Sequence, residues 1–211
     1  MKANKAKAIL AAATLAVQCA AVGWLVWRYE SIVRGGTEVR FRCEAYDPYD
    51  PLRGRYLMTT VRESCQVDGH VNECYGLKGY VKLLPSTNGL WRVAAVENAP
   101  GKDGGIWVKP RLIVVEHAVG WSEKRDDETW EDFQKRQTAS PWVARVSFPD
   151  QLFVNEHIAP AAEKVLRDAT SAKGRGAVAV YRAKGGEIVL VDIEIDGKSV
   201  LALARDAAKN D

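Results

Sequence analysis

Residues 37–45 read Thr37-Glu38-Val39-Arg40-Phe41-Arg42-Cys43-Glu44-Ala45, and this stretch sets the fold class. Val39, Phe41, Cys43 and Ala45 fall on one side of a two-residue period, with Arg40, Arg42 and Glu44 on the other. Successive side chains of a strand point to opposite faces, so the pattern predicts a strand with one face buried and one in water. Downstream, Arg55–Glu63, Gly79–Leu84, Leu90–Val96, Arg111–Glu116, Trp142–Phe148, Ala177–Ala183, Glu187–Ile195 and Lys198–Leu203 are further β-prone runs separated by Gly, Pro, Asn and Asp. Pro85–Gly89, Gly185-Gly186 and Asp196-Gly197 are turn signals between consecutive runs. Two segments read differently. Residues 122–138 are highly charged and predict a short surface helix or an ordered loop. Pro160 opens a helix reaching about Ala169, with Ala161, Ala162, Val165, Leu166 and Ala169 on one face. The expected fold class is mainly β (α+β), a single antiparallel β-rich domain over residues 37–204 with one or two short helices and a frayed tail at 205–211.

Upstream of the strand, Ile9 to Trp27 are 19 residues without a charge, about 28 Å of helix at 1.5 Å per residue. That length spans a bilayer core. The run is longer than the apolar segment of a cleaved leader, and its bulky Trp24-Leu25-Val26-Trp27 end does not resemble a cleavage site. Gln18 before Cys19 argues in the same way against a lipoprotein. The expectation is an uncleaved anchor at 9–27, preceded by a basic cytoplasmic tail at 1–8 and followed by a juxtamembrane linker at 28–36. Lys2, Lys5 and Lys7 favour a cytoplasmic N-terminus, which puts the body in the periplasm of a bacterial inner-membrane protein. These three lysines also account for the whole net charge of +3: the chain has 30 basic and 27 acidic residues, so the body is balanced. A balanced body lacks the basic footprint that nucleic-acid binding requires.

Cys65 and Cys74 flank Asp68-Gly69, a pair favoured in tight hairpins, so a disulfide across a hairpin is one reading. His70 lies between them, and with Cys43 these residues offer a four-ligand zinc alternative, although the paired Cys-x2–4-Cys spacing is missing. Unpaired thiols are the third reading.

The most distinctive segment is Asp47-Pro48-Tyr49-Asp50-Pro51-Leu52-Arg53-Gly54-Arg55-Tyr56. Two prolines fix the backbone, each following an aspartate whose carboxylate can accept turn amides. Arg53 is spaced to bridge Asp47 and Asp50, and the run predicts a rigid corner leading into a strand. It resembles the GDYXXLXY family of membrane-anchored bacterial proteins. Gly54 and Tyr56 stand where the motif has its Gly and first Tyr, whereas Arg55, Thr59 and Val61 replace its Asp, Leu and second Tyr. A second family-like segment is Phe153-Val154-Asn155-Glu156, and the order of anchor, strand, Asp-Pro run, helix and Gly-Gly hairpin is also similar. The resemblance implies a location and an architecture rather than a reaction.

Nothing else carries chemistry. His70, His117 and His157 lack metal-ligand spacing, no Ser-x-x-Lys or Gly-x-Ser-x-Gly occurs, and the glycine-rich stretch at 98–105 lacks the P-loop arrangement. No catalytic residue, cofactor or metal is expected. The expected role is a non-enzymatic accessory subunit that presents the corner formed by Asp47, Pro48, Asp50, Pro51, Leu52, Arg53, Gly54 and Tyr56 to another envelope or membrane protein. Its other partner is the membrane itself, through residues 9–27. The alternatives are a ligand- or glycan-binding module using Trp91, Trp107, Trp121, Trp130 and Trp142, of which at least three are expected in the core, and an envelope hydrolase built on Asp47 or Asp50 with a histidine.

Overall fold

The computed structural model describes residues 2–46, 56–67, 74–120, 123–170 and 176–208. The N-terminal apolar run forms α1 (Lys2–Gly35), within which Ile9–Gly35 is long and apolar enough to cross a membrane. Its apolar window is not buried against the body, unlike a core helix. The helix does not stop at Trp27. Residues 28–35 continue it, supported by the Glu30–Arg34 pair one turn apart, so the expected linker is helical up to Gly35.

Gly36 then makes the corner into β1 (Thr37–Tyr46). A Cβ at Gly36 would lie 2.5 Å from the Ile32 carbonyl oxygen and 3.1 Å from the backbone of Ala183, so only glycine fits this junction. The chain continues through β2 (Tyr56–Thr60), β3 (Glu63–Gln66), β4 (Cys74–Tyr75), β5 (Tyr80–Pro85), β6 (Trp91–Glu97), β7 (Ile106–Val108) and β8 (Leu112–His117). After α2 (Trp130–Ala139) come β9 (Trp142–Ser147), β10 (Gln151–Phe153), α3 (Ala159–Thr170), β11 (Ala177–Lys184), β12 (Glu187–Ile195), β13 (Lys198–Ser199) and α4 (Val200–Ala207). Three sheets result, ordered β10-β2-β1-β11-β12-β13, β3-β9-β8-β4 and β6-β5-β7, and all their described pairings are antiparallel.

The β1 alternation does what its pattern predicts. Val39, Phe41 and Cys43 are buried, and they join one hydrophobic cluster shared by all three sheets, α3 and α4. At its centre Phe41 stacks on Phe148 at 4.8 Å between ring centroids and meets Tyr181 edge-on at 5.9 Å. On the opposite face Arg40 pairs with Glu194, and Arg182 with Glu38. The β11–β12 turn uses Gly185 and Gly186 at φ 59° and 85°, the left-handed geometry that two-residue hairpins demand. The α3 face is also as expected, with Ala162 and Leu166 buried and Ala161, Val165 and Ala169 partly so.

Three expectations change. Lys198–Leu203 is not one strand. After two residues of β13, the Ser199 side chain caps α4 by accepting from the Leu201 amide, and Val200 and Ala204, one turn apart, are its buried residues. Among the described residues the body therefore has three helices rather than one or two, and α4 takes in Arg205 of the expected frayed tail. The third change concerns the cysteines. Cys65 pairs with Ala144, Ala144 with Val115 and Val115 with Cys74, so β3 and β4 sit on opposite edges of a four-stranded sheet. Three strand spacings are about 14 Å, too far for a disulfide, whose Cα atoms lie within about 7 Å. The segment between Cys65 and Cys74 does not close a two-stranded hairpin, and Cys65 is a free, buried thiol. Cys43 is likewise free, and burial pushes its thiol up to about 12.

Thr59 is 1% exposed, and its hydroxyl has no hydrogen-bond partner among the described residues. It stands where the motif it resembles carries leucine. A buried unsatisfied hydroxyl costs about 1–3 kcal/mol. Thr59→Val, which keeps the shape and removes the hydroxyl, is accordingly expected to raise the unfolding free energy by about 1 kcal/mol in denaturant titrations.

Candidate functional site

The Asp-Pro run falls largely outside the described residues: of the expected site, Asp47, Pro48, Asp50, Pro51, Leu52, Arg53 and Gly54 lie there, as do His70 and Trp121. Its downstream anchor is described. Tyr56 opens β2, which pairs with β1 on one side and with β10 on the other. The second pairing matches Leu152 with Leu57 and Phe153 with Tyr56. Directly opposed residues of an antiparallel pair share a face. Leu57 and Leu152 are buried, while Tyr56 and Phe153 point to the other side with Met58. The two family-like segments, almost a hundred residues apart in the chain, are thus joined at one sheet edge.

The resulting surface is aromatic and braced. Phe153 is 70% exposed and lies against Tyr56 with ring centroids 6.1 Å apart. Behind it the edge is tied down: the Tyr181 hydroxyl donates to the Pro149 carbonyl (2.8 Å), the Thr59 amide donates to the Asp150 carbonyl (3.0 Å), and Arg111 pairs with Asp150. Val154 turns back into the core. The Asn155 carbonyl accepts from the Ile158 and Ala159 amides and so starts α3, while Glu156 stays in solvent. β10 ends the order of its sheet, so its far side is an edge without a described strand partner. A large apolar side chain held on an open edge is of the residue type that contributes most to binding at interfaces.

A separate cleft of about 750 Å³ lies between the end of β2, β3 and the β8–β9 pair, lined by Thr60, Arg62, Glu63, Ser64, Glu116 and Arg145, among others. Glu116 and Arg145 pair with each other. Glu63 is half-buried, and burial raises its carboxyl above the ordinary range, partly offset by the Val93 amide that donates to it. The sign for stability follows from that direction. A carboxyl whose folded pKa lies above its unfolded value favours the fold while protonated, and this contribution is lost as pH rises through the folded pKa. Glu63→Gln keeps an acceptor for the Val93 amide and removes the charge. Thermal melts are expected to show the variant more stable than the parent near neutrality and indistinguishable from it below pH 4.5.

The two described histidines, His117 and His157, do not assemble a centre. His117 stacks on Trp142 at 3.9 Å and its Nδ1 contacts the Ser140 carbonyl, whereas His157 is exposed at the approach to α3. Among the described residues no group of three or more His, Cys, Asp or Glu is arranged to hold a metal. At least three of the body's tryptophans were expected in the core; among the described residues Trp107 is buried there, while Trp91 and Trp142 are partly buried against it. Trp130 is exposed, with Lys124 over its ring. Among the described tryptophans of the body only Trp130 is exposed, so they form no exposed row.

Residues 18–201 match the model of a family described as GDYXXLXY protein. No curated protein and no solved structure matches the chain.

Proposed function

This chain belongs to the GDYXXLXY family, and on that footing we propose that it is a non-enzymatic, membrane-anchored accessory subunit that docks on another envelope protein. The body is held in the periplasm, at the inner membrane, by α1. Lys2, Lys5 and Lys7 ahead of the apolar run support that orientation. The docking surface is the β2–β10 edge, with Tyr56 and Phe153 as its aromatic anchors.

The observation that carries this reading is Phe153, 70% exposed on a strand braced from behind. Exposed aromatics on rigid supports are the residue type that dominates binding energy at interfaces. Anchoring contributes as well, because confinement to one membrane raises the effective concentration of a partner in the same bilayer.

The test is chemical crosslinking in intact membranes of the native host, read by mass spectrometry, with Arg53→Ala as the control. One membrane protein crosslinked near residues 47–56 and lost in the control is the expected result. Self-crosslinks alone would overturn it and turn attention to the Glu63 cleft as a site for a polar ligand, the alternative this fold offers.

A further inference from the structure

Where α1 leaves its apolar run, it does not stand clear of the body. Leu25, Arg28, Tyr29 and Ile32 lie at intervals of three and four residues, hence on one helix face. That face lies across the start of β12, and between them is a cleft of about 380 Å³. One side is apolar, formed by Leu25 and Ile32 against Ile188 and Val189. The other side is charged. Arg28 pairs with Glu187, and Lys109 is fixed by its amide donating to the Gly186 carbonyl (2.8 Å) while its ammonium sits 5.1 Å from the Tyr80 ring centroid.

Charge and depth together select an occupant. Arg28 and Glu187 cancel, and Lys109 has no carboxylate partner among the described residues, so the cleft carries one uncompensated positive charge. A single phosphodiester carries one negative charge. The apolar run ends at Trp27, and the five residues from there to Ile32 rise about 7.5 Å. The head-group layer outside the hydrocarbon core is about 5–8 Å thick on each side, so the charged part of the cleft stands at head-group depth and Leu25 at the acyl boundary. Ile32 and Ile188 are already buried, and a soluble anion would match the charge but leave Leu25, 61% exposed, and the partly exposed Val189 uncovered.

We propose that this cleft seats one anionic phospholipid, with its phosphodiester at Lys109 and Arg28 and the start of an acyl chain along Leu25 and Val189. The proposal rests on the membrane-anchored reading above. The seated lipid wedges between helix and hairpin and fixes how the body, and with it the docking edge, sits over the membrane.

The test uses the full chain in phosphatidylcholine vesicles doped with phosphatidylglycerol that carries a photoreactive diazirine near the acyl carbonyl. Adducts are mapped by peptide mass spectrometry. Labelling of α1 near Leu25 reports anchoring, and labelling of Ile188–Val189 reports the seat. The expected result is labelling of both, with the Ile188–Val189 adducts reduced about fivefold in Lys109→Gln, the effect of one basic residue at an anionic surface. Those adducts are retained in Lys109→Arg and with excess inorganic phosphate. Labelling of α1 alone, equal labelling by a phosphatidylcholine probe, no loss in Lys109→Gln, or displacement by inorganic phosphate would each overturn the seat while leaving the anchor intact. Absence of label on α1 would overturn both.

Discussion

Phe41→Ala is expected to lower the unfolding free energy by about 3–5 kcal/mol, the range for removing a buried phenyl ring from a packed core. Phe41 is fully buried, stacks on Phe148 and meets Tyr181 edge-on, so truncation removes two aromatic contacts as well as the buried area. The cavity would open on β1, which joins the anchor side of the chain to both β2 and β11. Relaxation is restricted, because Tyr181 is held by its hydroxyl bond to the Pro149 carbonyl and cannot swing into the space without breaking it. Denaturant titration followed by tryptophan fluorescence measures the effect. A loss below about 1 kcal/mol would mean that this aromatic cluster is not the centre of the core.

Phe153→Asp is expected to behave in the opposite way. The side chain is mostly in solvent and its backbone pairing with Tyr56 does not depend on the ring, so stability should change by no more than about 0.5 kcal/mol. Binding should fall by about thirtyfold or more, the effect of losing a 2 kcal/mol anchor, because a charge then faces an apolar contact. Co-purification of the crosslinked complex alongside a thermal melt separates the two effects. A melt shifted as strongly as that of Phe41→Ala would make Phe153 a structural residue and remove it from the docking surface.

The local patterns of the sequence carried the β1 strand, the α3 face and the three glycine-containing turns, because alternation, helical spacing and left-handed turn residues are properties of neighbouring positions. Where the sequence misled, a second local signal competed with the first. In Ser199-Val200-Leu201-Ala202-Leu203-Ala204 the alternating bulk suggests a strand, but a serine cap followed by strong helix formers prevails. Residues 28–35 were expected to be a linker because they are polar, although polarity does not break a helix and the first glycine pair comes only at Gly35-Gly36. Cys65 and Cys74 looked close because only eight residues, an Asp-Gly among them, lie between them, yet β8 and β9, supplied from far downstream, separate their strands.

The candidate site was legible only as two separate segments. Nothing near Tyr56 announces that its cross-strand partner is Phe153, since pairing over such a separation is set by the whole sheet and not by a motif. The departures within the name motif make sense once the strand is seen in place. Thr59 and Val61 are buried, so their substitution alters packing, whereas Tyr56 lies on the other face of the strand against Phe153.

The most direct test of the docking account is site-specific photo-crosslinking in native membranes. A photoreactive residue replaces Phe153 in one protein and Lys102, exposed in the loop before β7, in the other. The account predicts one adduct of a single mass from position 153, none from position 102, and loss of the first when Arg53→Ala is added. The same adducts from both positions, or adducts of the chain with itself alone, would contradict it.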